Sequence, residues 1–219
     1  MAITVGDVME GARDQHSSFD ERRHPDRLLL RQLSGYHRRL CAKAVHVSES
    51  ILATALSIPL PLTSFVAGYT LPAHQYLHGG DVWWTNGIDK SPLTLVPWAA
   101  RNDAGKFPSG WVHGGVLYLK GDASDWTPYA SLHLTYTPVA PEFTVLTQTL
   151  LLGDTMGDAC EAFLAQVMAV RGHADKDAPR LDVGFFVQAA AAAEEAFLTD
   201  LFLRRGNQDN RIRDVRSFA

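Results

Sequence analysis

Residues 25–47 read PDRLLLRQLSGYHRRLCAKAVHV, and the periodicity of this stretch decides the fold class. Leu29, Leu33, Tyr36, Leu40, Ala44 and Val47 recur at steps of four and three, which places them on one face of a helix. Pro25 suits the first helical position, where a missing N–H leaves no partner unsatisfied. Arg27, Arg31, Arg38, Arg39 and Lys43 occupy the flanks. About 23 residues of helix span roughly 35 Å, enough for the spine of a domain. Gly35 weakens the middle by roughly 1 kcal/mol against alanine and leaves room for another backbone.

Upstream, Val5, Val8, Met9 and Ala12 predict a short helix. HSSFDERR (16–23) is turn-like, with Ser17 or Ser18 as a cap for the helix that follows and Glu21 three residues after Ser18 as in a capping box. Downstream of Ser48 the chemistry changes. The next hundred residues are rich in Pro, Gly, Thr, Trp and β-branched residues. Strands are expected around Ile51–Pro72, broken at Pro59 and Pro61, and in VWWTNGI, SPLTLVPWAAR and WVHGGVLYLKG. Asn86-Gly87 signals a hairpin, and Gly114-Gly115 a bulge or bend. ASLHLTYTP (130–138) alternates Leu132, Leu134 and Tyr136 with His133 and Thr135, the signature of a half-buried strand.

From Thr144 the helical pattern returns. Asp154 is a natural N-cap for a helix over 155–171 that buries Phe163, Val167 and Val170 and stops at Gly172. Leu181–Arg205 predicts a second helix, with Ala189 to Ala193 inside it and Gly206 at its end. Five small side chains let another backbone come close, either within a monomer or between subunits.

The expected class is α+β: a bundle of three to four helices (1–47 and 143–206), a β-rich domain (48–142) inserted between the second and third helices, and an extended C-terminal arm (207–219). The terminal helices must pack on one another, since none can bury an apolar face alone.

The 219 residues carry a net charge of −4, so no global nucleic-acid footprint is present. Charge is uneven all the same. Seven basic residues stand between Glu21 and Val45 against Glu21 and Asp26, and five arginines follow Leu203 against Asp209 and Asp214. Cys41 and Cys160 fall among apolar neighbours and read as buried thiols of a reducing compartment. The N-terminus shows no signal-peptide core and no apolar run reaches membrane-spanning length, so synthesis in the cytoplasm and no membrane partner are expected.

Catalytic signatures are weak. His74 and His78 have the H-Q-x-x-H spacing of a zinc-protease helix, but Gln75 stands where that chemistry needs a glutamate base, and barely one turn fits between Pro72 and Gly79. His78-Gly79-Gly80 and His113-Gly114-Gly115 resemble esterase oxyanion loops, yet no G-x-S-x-G nucleophile turn exists. Glu194-Glu195 and Asp122/Asp125 read as helix-surface and turn positions. An enzyme is not expected, nor a cofactor or metal. Trp83, Trp84, Trp98, Trp111 and Trp126 all lie in the β-rich block. They read as sheet filling, or as a platform for sugar or peptide in a monomeric binding module.

The stretch FPSGWVHGGVLYLKGDASDWTPYASLHLTYTPVAPEFTVLTQTLLLGDTMGDACEAFLAQVMAVRG (107–172), with the earlier Tyr69-Thr70-Leu71-Pro72 turn, resembles the head–tail adaptor (head completion, connector) proteins of tailed bacteriophages. The shared order is a strand ending in a glycine turn (Leu117–Gly121), Asp125-Trp126, a strand at Leu134–Pro138, and a helix over Cys160–Gly172. The resemblance implies a structural virion protein: a homo-oligomeric ring, usually of twelve copies, at the neck between capsid and tail. It also implies contacts with the portal and with a tail or neck protein, and a channel that double-stranded DNA passes without specific contacts. The family's portal-docking arm matches 207–219 by position. There Arg211, Arg213 and Arg216 would pair with acidic groups, and Ile212, Val215 and Phe218 would anchor. Candidate subunit-interface residues are Arg27, Arg31, Arg38, Ala189 and Ala193. A weakly acidic lumen would let the duplex slide rather than grip it.

Overall fold

The computed structural model describes residues 2–48, 51–60, 62, 65–78, 82–102, 108–174 and 181–216. Of Tyr76, Asp154 and residues 205–216 the backbone alone is described. The molecule is α+β, with helices flanking a strand-rich centre. Its chain divides into a helical unit, residues 1–52 with 140–219, and a strand-rich unit, residues 53–139.

The helical unit holds α1 (Val5–Asp14), α2 (Asp26–Val47), α3 (Asp154–Ala174) and α4 (Val183–Arg216). A reciprocal capping box starts α1: the Asp7 N–H donates to Thr4 Oγ1, and the Thr4 N–H donates back to Asp7. Val5, Val8, Met9 and Ala12 are buried, as the spacing requires. So is the whole predicted stripe of α2, from Leu29 to Val47. The N-terminus of α2 differs in detail. Pro25 is its extended N-cap (ψ 144°) and Asp26 its first residue, while the Ser18 hydroxyl lies beside His16 and caps nothing.

Gly35 is exposed, and a methyl group placed on it would meet no neighbouring atom within 4 Å. The room expected there is unused within the chain. G35A should therefore raise the unfolding free energy by up to about 1 kcal/mol in chemical denaturation, because alanine loses less backbone entropy in a helix.

Residues 143–152 are irregular where helical character was expected. They are tied down by polar contacts instead. Ser34 Oγ donates to the Leu30 carbonyl and accepts the Phe143 N–H at 2.9 Å. His37 Nε2 accepts the Leu151 N–H at 3.3 Å. Thr4 bridges Thr149, and the Val5 N–H donates to the Gln148 carbonyl.

The buried face of α3 is rotated from the predicted one. Met156, Cys160, Leu164, Ala165, Met168 and Ala169 are buried, Phe163 and Val167 are half-buried, and Val170 is 48% exposed. Apolar and small residues surround this helix, so no single stripe stands out until α1, α2 and α4 pack against it. It also runs two residues past Gly172.

The C-terminal expectation is corrected. Residues 207–216, expected as an extended arm, continue α4 as helix. Gly206 costs roughly 1 kcal/mol inside a helix, and no proline follows to force a stop. Phe218 lies outside the described residues.

The strand-rich unit contains two sheets. One places the central strand β9 (Ser131–Pro138) between β1 (Thr54–Pro59) on one side and β4 (Trp83–Thr85) and β3 (His74–Leu77) on the other, with β5 (Lys90–Pro92) beyond β4; every pairing is antiparallel. The other runs β2 (Tyr69–Thr70), β8 (Val116–Leu119), β7 (Ser109–His113), β6 (Thr94–Leu95), the last pair parallel. One core serves both: Ile58, Leu132 and Leu134 from the first sheet, Leu117 and Leu119 from the second, with Trp126, Val82, Leu93 and Leu71.

The turns follow their glycines. Gly114 and Gly115 hold φ of 57° and 76° and close a two-residue hairpin, His113 opposite Val116. Asn86-Gly87 opens the β4–β5 hairpin through a four-residue loop, in which Asn86 Oδ1 accepts the N–H groups of Ile88 and Asp89. The β9 alternation holds at Leu132 and Leu134. Beyond them Thr137 is buried, where the pairing with β3 is irregular.

Candidate assembly interface

On α2, Arg27, Arg31 and Arg38 are separated by four and seven residues, so they share a face. All three are exposed, and among the described residues no carboxylate lies within 4 Å of them. Arg27 and Arg31 line an open groove of about 670 Å³ with Pro25, Leu28, Glu142 and Phe143. The groove thus carries two unpaired cations, one carboxylate and an apolar floor.

On α4 the alanines divide. Ala190 is buried and Ala193 packs against the helical core, so these two let α4 lie close to its own unit. Ala189 is half-buried, while Ala191 and Ala192 face solvent. The outward side continues with Phe185, Phe202 and Leu203, which are 62%, 57% and 65% exposed. Phe185 and the Phe202–Leu203 pair stand roughly 25 Å apart along the helix, two exposed apolar spots separated by the exposed Glu195, of the kind that partners cover. At 34 residues α4 is roughly 50 Å long. Arg211, Ile212, Arg213, Val215 and Arg216 fall in its last turns, on helical backbone.

Between α2 and α4 stands a polar cluster that sequence reading missed. From its place in the sequence Glu194 reads as a helix-surface carboxylate. Instead it accepts from the Tyr36 hydroxyl at 3.0 Å and pairs with Arg39 at 3.0 Å and with Lys43. The Tyr36 ring lies flat on Phe163, with centroids 4.0 Å apart, and the Arg39 guanidinium sits over it. Burial works to raise the Glu194 pKa, but the hydrogen bonds from Lys43 and Tyr36 and both positive charges outweigh it and hold the carboxyl below its ordinary value. Burial and the neighbouring carboxylate push the Tyr36 phenol well above its own. The available signal was the polar edge of α2, Tyr36, Arg39 and Lys43 at steps of three and four. Glu195 is exposed.

The other chemistry-bearing residues scatter. His74 and His78 lie at and just past the ends of strand β3, not on a helix; His74 Nδ1 pairs with the Pro72 carbonyl and His78 Nε2 with Thr137 Oγ1. Four residues of strand separate them by about 13 Å, too far to share a metal. Among the described residues no group of three or more His, Cys, Asp or Glu is placed to hold a metal ion. Gly79 and Gly80 lie outside the described residues. Cys41 and Cys160 are buried free thiols; burial raises both, Cys41 to about 12, which removes thiolate nucleophilicity. Among the described residues no helix is long and apolar enough to cross a membrane.

Of the five tryptophans, Trp126 alone is fully buried. Trp83 stacks on His133 at 3.9 Å and carries Lys90 over its ring. Trp98 stacks on His113 at 4.1 Å with Arg101 at 3.8 Å. The rings of Trp83 and Trp98 are thus partly covered by the chain's own side chains.

No protein-family model and no curated protein matches this chain.

Proposed function

We propose that this chain is a structural virion protein whose copies form a ring between a capsid portal and a tail, lining the passage for double-stranded DNA. The observation that carries this reading is the outward face of α4, where Phe185 and the Phe202–Leu203 pair stand exposed on either side of Ala191 and Ala192 along the helix. A head-to-tail ring needs two different surfaces on each copy. The α4 face and the arginine face of α2 supply an apolar and a cationic one. The last turns of α4, with Arg211, Ile212, Arg213, Val215 and Arg216, would then dock on the portal as a helix rather than as an extended strap, with Phe218 beyond them. A net charge of −4 suits a lumen that DNA slides through. The neck of the virion is the corresponding location. No catalytic role, cofactor or metal belongs to this reading.

Native mass spectrometry of the protein, alone and mixed with its cognate portal, tests it. The expected result is a portal-bound assembly of about a dozen copies that is lost when residues 207–219 are deleted. A chain that stays monomeric and ignores the portal overturns the reading.

A further inference from the structure

A second basic cluster plays no part in the surfaces described so far. It lies where the loop 16–24 meets the C-terminal end of α3. Ser18, Arg23, His24, Arg171 and Gly172 line a pocket of about 180 Å³ there. That volume equals roughly six waters, ample for one tetrahedral oxyanion. Ser18 and His24 form a buried floor, and Arg23 and Arg171 stand exposed at the rim.

Two features distinguish this arrangement from a solvated basic face. His24 is 97% buried (3% exposed), yet among the described residues its Nδ1 has no hydrogen-bond partner. A buried ring nitrogen left unpaired costs free energy, unless a ligand supplies the partner. Its ring is otherwise well held: Phe19 packs edge-on at 6.0 Å, and the His24 carbonyl accepts from Arg13 Nη2 at 3.1 Å. In addition, among the described residues neither the Arg23 nor the Arg171 guanidinium has a carboxylate within 4 Å, although Asp20 Oδ1 accepts the Arg23 backbone N–H at 2.9 Å. Arg13, the third cation nearby, is already paired with Asp26 at 2.5 Å.

The geometry points to an oxyanion site that takes a single phosphate group, with the Arg23 and Arg171 guanidiniums closing over it and His24 Nδ1–H donating from below. Guanidinium forks match the several oxygens of a phosphate better than a point charge does. His24 is suited to donate while neutral. Burial, then Arg171, Arg13 and Arg23, hold its pKa below the ordinary histidine value against the opposing pull of Asp20. A bound dianion reverses that field, so occupancy should raise the His24 pKa. The site stands whether or not the chain assembles into a ring.

The test is titration of the full chain with inorganic phosphate at low ionic strength, by calorimetry and by NMR of the histidine rings. Saturable one-site binding is expected, with the His24 pKa moving upward. R171Q and R23Q change exposed residues, so folding is kept; each should weaken binding roughly ten- to a hundredfold. No saturable binding, unchanged affinity in R171Q, or equal displacement by acetate overturns the site. A short DNA duplex that displaces phosphate identifies the phosphodiester backbone as the source. A duplex that does not displace it identifies free phosphate or a monoester, and either result upholds the pocket.

Discussion

Acidification from pH 7 to pH 4 should remove roughly 3 kcal/mol of unfolding free energy from the helical unit, and His37 should account for most of it. This residue is fully buried on α2. Its Nε2 accepts the Leu151 N–H at 3.3 Å and lies 3.6 Å from Cys41 Sγ, while Phe143 packs against the ring at 4.8 Å. An acceptor at Nε2 requires the lone pair, so the folded chain holds the neutral ring with its proton on Nδ1. Burial lowers its pKa from 6.5 to about 4. The folded state therefore takes up the proton later than the unfolded state does. Stability is fully present above pH 6.5 and drains as the pH falls toward 4, where a charged ring can no longer accept from Leu151.

Burial depresses His24 as well, so it acts in the same direction. Glu194, whose pKa is lowered, withdraws its contribution only below its ordinary value of 4.5, at more acidic pH. Urea unfolding of wild type and H37Q across this range checks the assignment. H37Q should be less stable at pH 7, with a flatter profile between pH 6.5 and 4. An H37Q profile as steep as that of wild type would falsify the role given to His37.

The largest single loss in the strand-rich unit is expected at Trp126. W126A should cost about 3–5 kcal/mol. The indole is fully buried among Ile58, Leu117, Leu119, Leu132 and Leu134, residues from both sheets. Its Nε1–H donates to the Lys120 carbonyl at 2.8 Å and its ring meets Tyr129 edge-on at 5.6 Å. It stands at the end of a short 3₁₀ turn (Ala123–Trp126) closed by a reciprocal box between Asp122 and Asp125. Truncation therefore leaves a large void between the sheets and removes the hydrogen bond to the Lys120 carbonyl. W126F keeps most of the bulk and should cost less, about 1–2 kcal/mol beyond the small change in volume. Near-UV circular dichroism in urea reads the aromatic packing of this unit. A W126A midpoint equal to that of wild type would sink the expectation.

Several features were legible along the chain because they depend on residues a few positions apart. The buried stripe of α2 recurs every three or four residues. The alternation of β9 recurs every two, and Gly114-Gly115 meets a backbone demand that needs no distant partner. The same locality explains the misreadings. By local chemistry Gly206 and Gly172 are stops, yet both helices run through them. Ser18 and Glu21 have the spacing of a cap, but α2 begins only at Asp26, with Pro25 as its N-cap.

Of the candidate interface, the exposure of Arg27, Arg31 and Arg38 followed from the stripe opposite them. The split of the alanine run did not, since five identical side chains carry no phase.

What the amino-acid order determined was the α+β class and the helices that flank a strand-rich insertion, since hydrophobic period and turn chemistry are local quantities. What only the tertiary structure decided was which residues from distant parts of the chain meet. Glu194 acquires Tyr36, Arg39 and Lys43 because α4 lies against α2. His24 comes to share a pocket with Arg171 because the loop before α2 folds against the end of α3. Apolar and small residues surround α3, so its inward face is set by the packing of three other helices. Burial, and with it the displaced pKa of His37, arises from neighbours more than a hundred residues away.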